Sequence, residues 1–148
     1  GEGERKNCYG YCFQLGRSSG MLVCVCKSST LIAQSSTEAE LYALAEACRE
    51  LLWINSFLGE LNIKIVCEKI FQDNTTTINM VQNGISERSK HIDVKFNFVK
   101  RLIKKNTAKC PHIVTAEMIA DIFTKDLPDQ TFGRHSVSVM GSTPHYWN

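Results

Sequence analysis

No apolar run in this sequence approaches the roughly 20 residues that a membrane-spanning helix needs, so no membrane partner is expected. It contains no internal repeat, no low-complexity tract and no linker suggesting a second domain. Excess charge of one sign is also scarce. The formal net charge is +2 at pH 7, too small to imply a nucleic-acid partner by itself. The opening "GEGERKN" is charged where a secretory signal would be apolar. Gly1 rather than Met stands first, so a fragment of a longer protein is expected.

What is there suits a folded chain. The 148 residues match one domain with a core of ordinary size. Hydrophobic residues at 43% against 22% charged describe a globular rather than a disordered protein. Seven cysteines, an odd number, are spread along the chain. Cys8-x3-Cys12 and Cys24-x-Cys26 offer four conceivable zinc ligands, but "MLVCVCK" reads as a strand, whereas close ligand pairs usually sit on tight turns. Reduced thiols in an intracellular protein are the better reading.

The local pattern alternates between extended and helical. "YGYCFQLG" (9–16) and "MLVCVCK" (21–27) flank the turn signal "RSSG", which predicts an antiparallel hairpin, with "LIAQS" as a candidate third segment. From Thr37 the period changes, and Leu41, Leu44, Ala45, Cys48, Leu51, Leu52, Phe57 and Leu58 form a helical stripe ending at Gly59. "IKIVCEKIFQDN" (63–74) reads as a strand ending at Asp73, followed by a helix, "TTTINMVQN", that closes at Gly84. Ile92, Phe96, Val99 and Ile103 space a second long helix. "TAKCPHIV" (107–114) reads as a strand in which Pro111 suits an edge or a start. A last helix is expected over 115–125, buried through Ile119, Ile122 and Phe123, and residues 129–148 are expected to be irregular. The sum is an α/β sandwich of modest size.

Three carboxylates sit where such folds tend to place chemistry. Asp73 stands at a strand's carboxyl end, beside the crevice where open α/β sheets bind ligands. Glu40 lies in the first turn of one helix and Asp121 early in another. Each also has a plain structural account: an Asp73–Asn74 helix cap for Asp73, a complement to the helix dipole for the others. The wheel puts Asp121 away from its apolar neighbours, which makes a solvated face its default. Glu38 and Glu40 flank the apolar stripe, one on each side; with Ser35 as N-cap Glu38 fills the capping-box position, and with Thr37 Glu40 does. Converging carboxylates without a cysteine or histidine cluster would suit Mg²⁺ or Mn²⁺, and a pair of such ions can stabilise both oxygens of a phosphodiester displacement.

Taken together, "SSTEAELYALAEACRELLWI", "DNTTTINMVQN", "KHIDVKFNF" and "ADIFTKDLP" resemble the ribonuclease H domain of copia-type LTR-retrotransposon Pol polyproteins, from about Arg5 to Pro128. Each block alone is weak; the set at this separation is highly specific. The resemblance implies a ribonuclease H-like mixed sheet flanked by helices over residues 1–128, and cleavage of the RNA strand of RNA–DNA hybrids during reverse transcription. It implies that carboxylates hold two Mg²⁺ (or Mn²⁺) ions, and by position the family's ligands fall on Glu40, Asp73 and Asp121, leaving Glu38 as a capping or surface residue. The implied partners are the hybrid and the reverse-transcriptase domain of the same polyprotein. The implied location is intracellular, in cytoplasmic virus-like particles and also the nucleus.

Departures from the family pattern matter as much. Its fourth carboxylate belongs to a first, central strand of the form Asp-x-Asp-Trp, which this chain lacks; Glu2 and Glu4 are out of register with it. The family's Trp-x-Ser-Lys is Cys24-Val25-Cys26-Lys27 here, its Pro-Thr-Glu is Val114-Thr115-Ala116, and a His and a Glu of the "KHID" helix are Asn97 and Arg101. A proline of the family is Asp126. The chain alone is therefore expected to be inactive or nearly so. The alternative is a non-catalytic nucleic-acid-binding or assembly module derived from that domain.

Arg88, Lys90, Lys95, Lys100 and Arg101 begin a basic stretch that continues to Lys109. A phosphate-contacting face and a solvated face opposite Phe96 and Val99 both account for it; a hybrid would be read by backbone shape and 2′-hydroxyls. His91 and His112 receive no catalytic assignment.

Overall fold

The computed structural model describes residues 8–16, 19–28, 36–65, 68–84 and 93–141. The candidate segment "LIAQS", Ile92, Arg88 and Lys90 lie outside them. The chain packs as two units, Ala33–Ile113 and a second made of Gly1–Ile32 with Val114–Asn148.

In the second unit β1 (Cys8–Gln14) and β2 (Met21–Ser28) form the expected antiparallel hairpin, with Tyr11 opposite Val25 and Cys12 opposite Cys24. The register shifts between Phe13 and Gln14, a bulge that helps turn the strands. Ser19 closes the turn by donating its hydroxyl to the Leu15 carbonyl at 2.6 Å.

The helix expected over 115–125 is two short 3₁₀ segments instead, Thr115–Glu117 and Ile119–Phe123, interrupted at Met118, whose ψ of 95° is extended. The C-terminal tail, expected to be irregular, contains a helix, α4 (Asp129–Met140). Pro128 precedes it, where a fixed φ and a missing N–H cost nothing. Gly141 ends it in the left-handed conformation, its N–H donated to the carbonyls of Val137 and Ser138. A Cβ on Gly141 would come within 2.9 Å of the Gly20 nitrogen, so the helix end also needs glycine to meet the hairpin turn.

The other unit is built on α1 (Ser36–Glu60), α2 (Thr75–Asn83) and α3 (Asp93–Lys104). Its core gathers Leu41, Leu44, Ala45, Cys48, Val81, Phe96, Val99 and Cys110. The apolar stripe of α1 slides around the helix. Leu41, Ala45 and Cys48 are buried early, and Ala47, Leu51, Ile54 and Leu58 later. Leu52 and Phe57, expected inside, fall off this path and are 37% and 44% exposed. Helices that cross at an angle stay in contact for only part of their length, so one straight stripe cannot remain buried throughout. Phe57 stacks on Trp53 instead, ring centroids 5.5 Å apart.

The strands expected over 63–74 and 107–114 meet in parallel, as two isolated bridges, Lys69 to Lys109 and Gln72 to His112. The hydrogen bonds explain the gap between them. Lys109 donates to Glu68, Ile70 to Lys109, Gln72 to Pro111 and Ile113 to Gln72, at 2.8–3.1 Å. The rung absent from this alternation is the one position 111 would donate to Ile70, and proline has no N–H to give.

Candidate functional site

Asp73 follows directly on the Gln72 bridge, at the carboxyl end of the parallel segment, and α2 begins two residues later. The helix cap is Asn74, not Asp73: the Asn74 side chain accepts the Thr77 N–H at 3.0 Å. Gln72 is buried and steadies the same corner, its Oε1 accepting the Asn74 N–H at 3.0 Å. The expected Asp–Asn cap is thus present, with Asn74 as the capping member, and the half-buried Asp73 stands beside a corner fixed by its neighbours.

In the same unit, α1 starts at Ser36, which puts Glu38 at the third helical position, from which a capping box reaches back. Of the capping or surface roles that the resemblance leaves to Glu38, the surface one does not hold. It is 5% exposed and accepts the Tyr42 hydroxyl at 3.2 Å. Burial, then that hydrogen bond and the Glu38 charge, raise the Tyr42 hydroxyl above its ordinary pKa. Glu40 lies one turn before Leu44, on the flank of the helix that becomes the buried stripe, and is half-buried. Sequence reading weighed Glu38 as a cap but missed its burial; its spacing of three from Leu41 and seven from Ala45 carried that signal.

Asp121 belongs to the unit that holds the hairpin and α4. It is 8% exposed rather than solvated, and Lys125 reaches it at 3.0 Å. The physical reason is α4, which packs on the segment carrying Asp121 and was not expected to exist. On α4, His135 is fully buried, and neither ring nitrogen has a hydrogen-bond partner among the described residues. Burial and the neighbouring Arg134 lower its pKa, while the Asp121 charge works the other way.

Glu40 and Asp73 thus share one unit and Asp121 lies in the other. Among the described residues, no three His, Cys, Asp or Glu side chains gather in a group that could hold a metal ion.

The basic residues divide by orientation. Lys95 turns toward α1, its ammonium 4.3 Å from the centre of the Tyr42 ring and 3.8 Å from Glu46. Lys100, Arg101 and Lys104 line a shallow open depression of about 490 Å³ with Val94 and Asn97. Positions 94, 97, 101 and 104 follow helical spacing opposite the buried Phe96 and Val99, and Val94 is 82% exposed. The result is an outward face with three cations and two uncharged side chains.

No protein-family model and no solved structure match the chain. Similarity to curated proteins is extensive. The chain is 32% identical over 130 residues to the retrovirus-related Pol polyprotein from transposon TNT 1-94 of Nicotiana tabacum, covering 87% of this chain and 10% of that protein. It is 31% identical over 103 residues to the Pol polyprotein from transposon RE1 of Arabidopsis thaliana, covering 68% of this chain and 7% of the relative. It is 30% identical over 106 residues to the transposon Ty1-NL2 Gag-Pol polyprotein of Saccharomyces cerevisiae, covering 70% and 6%. The chain thus spans a tenth or less of the length of these relatives. With the order of its segments and this breadth of similarity, the chain belongs to the Pol polyproteins of copia-type retrotransposons.

Proposed function

We propose that the chain is the ribonuclease H portion of such a polyprotein, with a ribonuclease H-like fold. In this reading Glu40, Asp73 and Asp121 are its contribution to a site that cleaves the RNA strand of RNA–DNA hybrids. The observation that carries this reading is the corner at Asp73. A carboxylate at the end of a parallel segment has no capping duty, because Asn74 has taken it. Divalent cations in a complete site of this kind would activate water and neutralise the leaving oxygen. Because the 148 residues do not include the Asp-x-Asp-Trp strand that the resemblance implies, the proposal extends to this: alone they do not turn over, and cleavage requires a further carboxylate from the polyprotein.

The test is a hybrid-cleavage assay with Mg²⁺ or Mn²⁺ on this chain and on a longer Pol fragment that includes an upstream Asp-x-Asp-Trp strand. Cleavage by the longer fragment, lost in Asp73→Asn, is the expected result. Turnover by the short chain that Asp73→Asn abolishes would overturn the inactivity. A longer fragment that cleaves equally well without Glu40 and Asp73 would overturn the assignment of the site.

The exposed basic face of α3 favours a second reading, a module that binds nucleic acid without cutting it. That reading expects salt-sensitive binding to hybrid that survives Glu40→Gln and Asp73→Asn. The reverse-transcriptase domain of the same polyprotein is the proposed protein partner, and the proposed location is intracellular, in cytoplasmic virus-like particles and also the nucleus.

A further inference from the structure

We propose that Cys12 and Cys24 form a reversible disulfide across the hairpin when the protein meets a low-molecular-weight disulfide such as oxidised glutathione. Alternate residues of a strand share a face. Cys8, Gly10 and Cys12 of β1 therefore share one face with their partners Ser28, Cys26 and Cys24 on β2. Four thiols lie on this face, yet their opposites differ. Cys8 stands across from Ser28, Sγ to Oγ 3.9 Å. Cys26 stands across from Gly10, and its thiol donates to the Phe123 carbonyl at 3.1 Å. In this ladder, Cys12 and Cys24 are the pair that oppose thiol to thiol.

The spacing suits a bond. Directly opposed residues of an antiparallel pair have Cα atoms about 4.5 or 5.5 Å apart, and both values fall within the roughly 4.4–6.8 Å that a disulfide spans. Their Cβ atoms, about 4.5–5.5 Å apart, must draw together slightly, since a disulfide holds them at about 3.5–4.5 Å. A bond closed against that pull is one that a reductant readily reopens. All the cysteines of the described residues are free in this structure, so the reduced form is the starting state.

Access sets the order of events. Cys24 is exposed and Cys12 half-buried, whereas Cys48 and Cys110 are in the core of the other unit. Cys24 loses its proton and attacks one sulfur of the small disulfide, forming a mixed disulfide and expelling one small thiolate. Cys12 then loses its proton and attacks the Cys24 sulfur, releasing the second small thiol. The protein pair is oxidised by two electrons and the small disulfide is reduced to two thiols. Burial, with the nearby Cys24 adding, pushes the Cys12 thiol up to about 12, and burial also raises Cys24. The closure therefore speeds up as pH rises above neutral, because the thiolate is the attacking species. The bond would pin the register of the hairpin against which the Asp121-bearing segment packs.

The test treats the full chain with oxidised glutathione at mildly alkaline pH, quenches with iodoacetamide and maps tryptic peptides without reduction. Trypsin separates "NCYGYCFQLGR" from "SSGMLVCVCK". These two should appear joined, with two alkylatable thiols lost and both regained after dithiothreitol. The link should persist in Cys8→Ser and Cys26→Ser and vanish in Cys12→Ser and Cys24→Ser. Cys48 and Cys110 should resist alkylation until the protein is denatured, in every variant, which reports that the unit holding them stays folded. A link that survives Cys12→Ser, a lasting glutathione adduct on Cys24 in its place, or cross-linked dimers alone would overturn the proposal.

Discussion

The Asn74 side chain accepts the Thr77 backbone N–H at 3.0 Å, which makes it the cap of the helix that begins beside Asp73. Removing a cap of this kind costs about 1 kcal/mol. Asn74→Ala should lower the unfolding free energy by roughly that amount, read from the urea midpoint at unchanged slope. Asp73→Asn should leave the midpoint within about 0.5 kcal/mol, as expected of a residue away from such features. The pair separates the structural duty of this corner from any chemical one. A large loss with Asp73→Asn would return that residue to a structural role.

His135 makes stability depend on pH, and the sign follows from its burial. Its folded pKa is lowered, by burial first and Arg134 second, with Asp121 opposing. The neutral ring is then the form the fold accepts, while the unfolded chain takes up a proton near the ordinary value of 6.5. Its contribution is fully present above about pH 6.5 and is lost as pH falls through that value toward the folded pKa. The melting temperature should therefore drop between pH 7 and pH 5. His135→Leu should flatten this drop, because both ring nitrogens lack partners among the described residues and an apolar replacement has none to lose. An equally steep acid limb in the variant would assign the effect to other groups.

Gly10 is held by space rather than by backbone angle. A Cβ there would lie 2.8 Å from Thr124 Cγ2 and 3.2 Å from the Val25 carbonyl oxygen. Gly10→Ala should destabilise the hairpin unit by about 1–3 kcal/mol, the usual range for overpacking. Thr124→Ser removes the closest atom, so adding it to Gly10→Ala should recover part of the loss. A double-mutant cycle of thermal melts measures that coupling; independent, additive effects would contradict the close contact.

Much of the helical half was legible because its signals are local. Gly84 ends α2 where the sequence placed the stop, and Leu41, Phe96 and Val99 are buried where the period placed them. The hairpin followed from its turn residues. The parallel segment was harder, because Pro111 deletes one rung and leaves bridges in place of a strand. The helix α4 escaped for a different reason. Its buried face is polar, His135 and Ser138, while Phe132, Val137 and Met140 are exposed, so hydrophobic period carries no sign of it. Missing α4 also hid the burial of Asp121. The choice of Glu40 over Glu38 as a proposed ligand comes from family resemblance alone: the spacing of Glu38 signals its burial, and burial does not say which carboxylate would meet a cation.

The basic face of α3 gives the last expectation. Arg101 and Lys104 are exposed along the open depression, while Lys95 is engaged with Tyr42 and Glu46. If the face contacts a duplex backbone, each lost phosphate contact should lower the slope of log affinity against log salt by about 0.9. Arg101→Gln with Lys104→Gln should then flatten the slope by close to two contacts and weaken hybrid binding most at low salt. Lys95→Gln should change it less, because its charge is already partnered. Glu40→Gln and Asp73→Asn should leave the slope unchanged, since neither neutralises a phosphate. Fluorescence anisotropy with a labelled RNA–DNA hybrid across a salt series reads all of these at once. A slope indifferent to Arg101 and Lys104 would make this an ordinary solvated helix face.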